Sequence, residues 1–169
     1  MKNKNVDKIR SWLLQTAVEI IKPVYAVLFQ RDKKPWNQTL ESLKNHPPKT
    51  LGWELGHFLE RHGFDLIPLY ENHDVYHVVL NYEPEVVDEA AMQFFLLGNR
   101  KITVSVLITV VFATLILPKH LGYFIKEYRR GRNSLQIKYW NFQHLLNEPL
   151  EVLQNQIFKH KNAPPVSIF

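Results

Sequence analysis

Sixteen consecutive residues, Ile102 to Leu117, carry no formal charge and lie between Lys101 and Lys119. Such a run has to find a neighbour other than water, so it dictates much of what the rest of the chain must do. Its β-branched residues favour a strand by propensity, yet strands average about 5–6 residues, so the length predicts a helix, stopped by Pro118. A membrane-spanning helix needs about 20 apolar residues, and this run contains Thr103, Ser105, Thr109 and Thr114. It falls short of a span. A helix apolar nearly all round lies in the core, in a dimer interface or against lipid. If it walls a groove, with Val106 and Val110 among the lining positions, a long apolar chain is the guest that water would reject.

The remaining punctuation is helical. Val6 to Ile21 carries apolar residues at helical intervals, and Pro23 kinks or ends that helix before a continuation through Phe29. Arg31 to Trp36 is a polar loop, and a short helix around Gln38 to Lys44 stops before Pro47-Pro48. Thr50 can cap a helix from Leu51 to His62 that Gly63 closes. Phe64 to Tyr70 contains Pro68 and is expected to be extended. Asn72 is the expected N-cap of the next helix, which breaks near Asn81-Tyr82-Glu83. Pro84 then opens a helix running to Leu97, with Gly98-Asn99 as its stop. The fold class expected is all-α, a single-domain helical bundle of residues 1–169 with one long apolar helix. Its parts are an N-terminal helical segment (1–45), a core (50–158) and a flexible tail (159–169). A chain of 169 residues suits one domain and leaves no room for a second catalytic one. Zero cysteines exclude disulfides, thiolate zinc sites and thiol nucleophiles together. The basic N-terminus lacks the apolar stretch of a secretion signal, since Lys8 and Arg10 interrupt it, so a cytosolic compartment is expected.

Spacing suggests chemistry at His73-Asp74-Val75-Tyr76-His77, followed after eleven residues by Glu89. On a helix each residue advances about 100°, so His73 and His77 stack one turn apart, with Asp74 about 60° around from His77. Glu89, in the helix that follows, can return a carboxylate to the same point. Paired histidines on a surface helix are common, and Asp74 near a helix start can simply favour the dipole. The surroundings favour a metal: from Glu54 to Glu89 the chain holds nine of its 16 acidic residues and four of its 8 histidines, with Arg61 as the single fixed positive charge. Two imidazoles and up to two carboxylates suit zinc first, then iron, cobalt or manganese, better than calcium or magnesium. His57, Tyr76 and Glu85 are nearby proton carriers, each better read as structural.

A basic stretch follows the apolar run. Lys119, Lys126, Arg129, Arg130, Arg132 and Lys138 stand against Glu127 alone, interleaved with Tyr123, Phe124 and Tyr128. It is either a solvated helix face or a contact for anionic groups, a lipid head or a substrate carboxylate, with Arg129, Arg130 and Arg132 as the candidates. A net charge of +5 permits nucleic acid, but no recognition motif accompanies the charge and none is expected to bind.

The run from Thr50 to Arg132 resembles the family of the fourth coenzyme Q (ubiquinone) biosynthesis protein, whose hallmark is HDxxH, eleven residues, then Glu. That hallmark stands here as His73, Asp74, His77 and Glu89 without departure. Thr50-Leu51-Gly52, Gly63-Phe64-Asp65-Leu66-Ile67-Pro68, Glu71-Asn72, Leu97-Gly98-Asn99, Tyr128-Arg129-Arg130-Gly131-Arg132 and Glu148-Pro149-Leu150-Glu151 with Leu153 extend the likeness. The resemblance implies an all-helical, often dimeric, peripheral membrane protein that organises quinone-making enzymes. It also implies a reaction, loss of the carboxylate at the first ring carbon of a polyprenylated hydroxybenzoate with hydroxylation of that carbon. One divalent metal on His73, Asp74, His77 and Glu89 would serve that step. The alternative function is a scaffold without catalysis that presents a prenyl lipid to other enzymes.

Overall fold

The structure, a computed structural model, describes residues 34–159, and these contain seven α-helices and no β-strand. The helices are α1 (Leu40–Lys44), α2 (Leu51–His62), α3 (Glu71–Leu80), α4 (Val86–Gly98), α5 (Val104–Ile116), α6 (Leu121–Asn133) and α7 (Leu150–Lys159). Short 3-10 turns occupy Pro118–His120 and Phe142–Leu145. The all-α expectation holds. The helix expected over Val6 to Ile21 and the expected flexible tail lie outside the described residues.

Two compact units emerge. One combines the described parts of Lys33–Tyr82 and Asn133–Phe169. Its helices begin where side chains can replace missing backbone partners: Thr39 and Ser42 form a reciprocal capping box on α1, and the Thr50 hydroxyl accepts from Trp53 N at 3.5 Å. The first amides of α2 find carbonyls from the far end of the chain, Leu51 N to Glu148 O at 2.9 Å and Gly52 N to Leu146 O at 2.8 Å. Donors that a helix cannot use itself therefore tie α2 to the segment before α7. Gly63 closes α2 at φ 66, the left-handed conformation glycine adopts without strain. Leu51, Leu55, Phe58 and Leu59 from α2, Val75, Val79 and Leu80 from α3, and Leu153 and Ile157 from α7 are buried. Helix α3 starts one residue before the expected cap: Asn72 lies inside it and Tyr70 precedes it. The left-handed Leu69 (φ 72) turns the chain there, and buried Glu71 accepts from Trp36 N at 2.8 Å. Residues 64–67 are irregular and 68–70 form a turn rather than an extended strand.

The second unit contains Glu83–Arg132. Pro84 precedes α4 instead of opening it, with Glu85 at the N-cap. Asp88 organises this start: one carboxylate oxygen accepts from Glu83 N at 3.2 Å, the other from the Tyr123 hydroxyl at 3.1 Å. Burial first, then the Asp88 charge, pushes the Tyr123 phenol up to about 12. Helix α4 stops at Gly98-Asn99 as expected, but for a different reason. The left-handed residue is Arg100 (φ 65), whereas Gly98 is small because the backbone of α6 crosses there, with the Tyr128 carbonyl where a side chain would stand. Gly131 makes the reciprocal approach to the Phe95 carbonyl, and buried Asn99 donates to Gly131 O at 3.1 Å.

Thr103 caps the apolar helix α5, its hydroxyl accepting from Val106 N at 3.4 Å. Of the three places open to this helix, the core takes only Val106 and Ala113. Val104 (46% exposed), Leu107 (44%), Val111 (56%), Phe112 (44%) and Leu115 (72%) face outward, and Val110 is half-buried. No single helix among the described residues is long and apolar enough to cross a membrane. By length and composition alone, the pair Val104–Ile116 and Pro118–Asn133 would suffice together, across a bend of 101°.

Candidate metal centre

The turn periodicity of α3 does what the spacing demands: His73 and His77 aim their Nε2 atoms at one another across 3.3 Å. Two nitrogens each about 2.0–2.1 Å from one tetrahedral ion are separated by about that distance. The same separation admits an N–H···N bond in the metal-free pair.

His77 is only 4% exposed, and its surroundings fix the ring. Its Nδ1 lies 3.1 Å from Tyr82 O. A carbonyl only accepts, so Nδ1 carries the hydrogen and Nε2 presents its lone pair, the form a metal requires. The Phe58 ring stacks on the imidazole at 5.4 Å and 18°, which holds its plane. His73 is half-buried and stands edge-on to His77, the ring planes 81° apart.

Glu89 is half-buried in the first turn of α4, one turn earlier than a helix opened by Pro84 would place it. With the paired nitrogens of His73 and His77, its carboxylate makes up a donor set that could hold one metal ion. The chemistry of the set, two neutral nitrogens and one carboxylate, fits a divalent transition metal. Asp74, half-buried in the first turn of α3, is not among the three.

The other residues singled out in the sequence fall as follows. Arg129 and Arg132 are exposed on α6, while Arg130 donates to buried Glu127 at 2.9 Å and lies 5.4 Å from the centre of the Phe95 ring. That guanidinium has a structural role already. His57 sits 3.4 Å from Glu60 and edge-on to Trp53, Tyr76 is buried against Phe142, and Glu85 is an exposed N-cap. None of these joins the donor cluster. Sequence reasoning missed Phe58 and the Tyr82 carbonyl. A backbone acceptor has no side-chain signature, and the helix break at Asn81 was its sole trace.

No protein-family model matches this chain, and no curated protein sequence matches it either. Among solved structures, it is similar to the crystal structure of a Nostoc punctiforme protein provisionally named a ubiquinone biosynthesis protein. The likeness has a TM-score of 0.61 at 18% identity and covers 90% of this chain and 81% of that one. At that identity it establishes a shared fold.

Proposed function

We propose that this protein is a metal-dependent enzyme of quinone biosynthesis, acting on a polyprenylated hydroxybenzoate at a membrane surface. The reaction is loss of the ring carboxylate as carbon dioxide with hydroxylation of the same carbon, the hydroxyl oxygen coming from water and dioxygen taking up the two electrons and two protons released to leave as hydrogen peroxide. The observation that carries this reading is the pair of His73 and His77, their Nε2 atoms converging at 3.3 Å, in a donor set that Glu89 completes. Three protein donors leave coordination positions open, as catalytic sites require, whereas structural zinc sites are closed by four. The fold shared with the Nostoc protein supports the same pathway.

In this reading His73, His77 and Glu89 hold one divalent metal, and Asp74 adds a donor or orients an imidazole. Zinc fits the donors, cobalt and manganese are possible occupants, and two histidines with one carboxylate also suit iron in oxygen-dependent chemistry. The metal, when bound, supplies Lewis acidity toward the substrate's carboxylate or phenolate oxygens. Tyr82 and Phe58 keep His77 in its ligating form. Arg129 and Arg132 receive an anionic head, with Arg130 divided between that role and Glu127. The tail lies along the outward face of α5, beside Leu107, half-buried Val110 and Val111, because the core takes Val106 from the expected groove.

The test is release of labelled carbon dioxide from a prenylated 4-hydroxybenzoate by the purified protein with zinc, iron, cobalt or manganese in the presence of oxygen. Turnover with one metal, lost in Glu89→Ala, is expected. Absence of turnover with every metal, alongside tight prenyl-lipid binding, would replace the enzyme by the scaffold.

One observation favours the scaffold: the outward row of Val104, Leu107, Val111, Phe112 and Leu115 suits lipid, a second copy of the chain or a neighbouring quinone-making enzyme. Both readings expect peripheral attachment on the cytosolic side. The protein should sediment with anionic vesicles and be released by salt, because headgroup attraction is screened over about 8 Å at physiological ionic strength. Release only by detergent would contradict peripheral attachment. Affinity for prenyl amphiphiles should rise with chain length, each buried methylene contributing about 0.8 kcal/mol before ordering costs. Leu107→Lys or Val111→Lys should weaken long chains far more than short ones, and affinity independent of length would remove the tail from α5.

A further inference from the structure

We infer that Asn81 is a positioning residue for the metal centre: its left-handed backbone carries the Tyr82 carbonyl to His77 Nδ1 and so selects the imidazole tautomer that can ligate. This rests on the metal reading of His73, His77 and Glu89. Helix α3 ends at Leu80, and Asn81 follows at φ 59, ψ 59. That reversal folds the next residue back over the last turn, where Tyr82 N donates to His77 O at 3.0 Å. The Tyr82 carbonyl then accepts from His77 Nδ1 at 3.1 Å. Both backbone polar groups of Tyr82 are thus spent on one residue, and Tyr82 is itself only 3% exposed.

Asn81 contributes conformation. It is exposed, so its side chain fills no core, and left-handed φ is open to asparagine and glycine but opposed by the Cβ of other residues, most strongly the β-branched ones. A residue that leaves this region withdraws the Tyr82 carbonyl. His77 then loses the partner that keeps hydrogen on Nδ1, and its Nε2 can take the hydrogen instead. Loss of such an outer partner typically weakens metal binding about 10–100-fold.

The experiment compares full-length wild type with Asn81→Gly, Asn81→Ala and Asn81→Val, using two readouts. The first is the His77 tautomer in metal-free protein by 15N NMR of the imidazole, assigned through loss of its signals in His77→Gln. The second is cobalt(II) affinity. Wild type and Asn81→Gly should share the Nδ1–H tautomer and bind cobalt equally. Asn81→Val should lose the tautomer preference and bind about 10–100-fold more weakly, with Asn81→Ala between them as the reference should valine not fold. An Nε2–H tautomer in wild type overturns the proposal, as does wild-type affinity in the alanine variant or a glycine variant no better than it. Absence of cobalt binding by wild type sinks the metal reading, while the tautomer comparison still decides whether Asn81 positions His77.

Discussion

Replacing His77 with alanine should strip stoichiometric metal from the protein, weakening binding by about 100-fold or more, because a metal held by few donors loses a large share of its affinity with each. The ring is buried and stacked on Phe58, so its removal also opens a cavity that destabilises the fold on its own account. Glu89→Ala separates the two effects, since that side chain is half-buried and contributes little packing. Metal per chain after dialysis, measured by mass spectrometry beside far-ultraviolet circular dichroism, reads the result. Wild type should also gain about 2.7 kcal/mol of stability at a metal concentration 100 times the dissociation constant, and both variants should lose that gain. Unchanged metal content in His77→Ala and Glu89→Ala together would mean that the donor cluster is not where metal binds.

The second large effect belongs to the crossing of α4 and α6. A Cβ on Gly131 would collide with the carbonyl oxygen of Phe95, and one on Gly98 would sit 2.9 Å from the carbonyl carbon of Tyr128. Backbone cannot rotate away as a side-chain tip can, so the helices would have to separate, pulling buried Asn99 from Gly131 O and loosening Phe94 and Phe124, which stack at 4.9 Å. Gly131→Ala is expected to destabilise by about 3 kcal/mol or more, at the top of the range for overpacking. Gly122, also on α6, has open space around it, and Gly122→Ala should stabilise by a few tenths to about 1 kcal/mol. Urea denaturation of the two variants gives opposite signs if the crossing is tight. Equal small shifts would show that it is not.

The boundaries of α2 were readable from Thr50 and Gly63, the break after α3 from Asn81, and the donor set from the interval between His73, His77 and Glu89. Each is local chemistry: a hydroxyl three residues from an amide, a residue that tolerates left-handed φ, a helical turn of four. Asn72 and Pro84 carried equally good local signals and lost. Glu71 was held by Trp36 N from far along the chain, and Asp88 fixed Glu83 N so that Glu85, not Pro84, became the boundary of α4. The apolar run of α5 announced its need for a neighbour but not which one, because burial depends on what packs against a segment, and within the helix only Val106 and Ala113 are buried. Gly98 reads locally as a helix stop and Gly131 carries no local signal, yet each is small because another helix passes over it. Capping and spacing act within a few residues and are written in the sequence. The Tyr82 carbonyl on His77 and the backbone contact at Gly131 depend on the path of chain between those points, which only the tertiary structure decides.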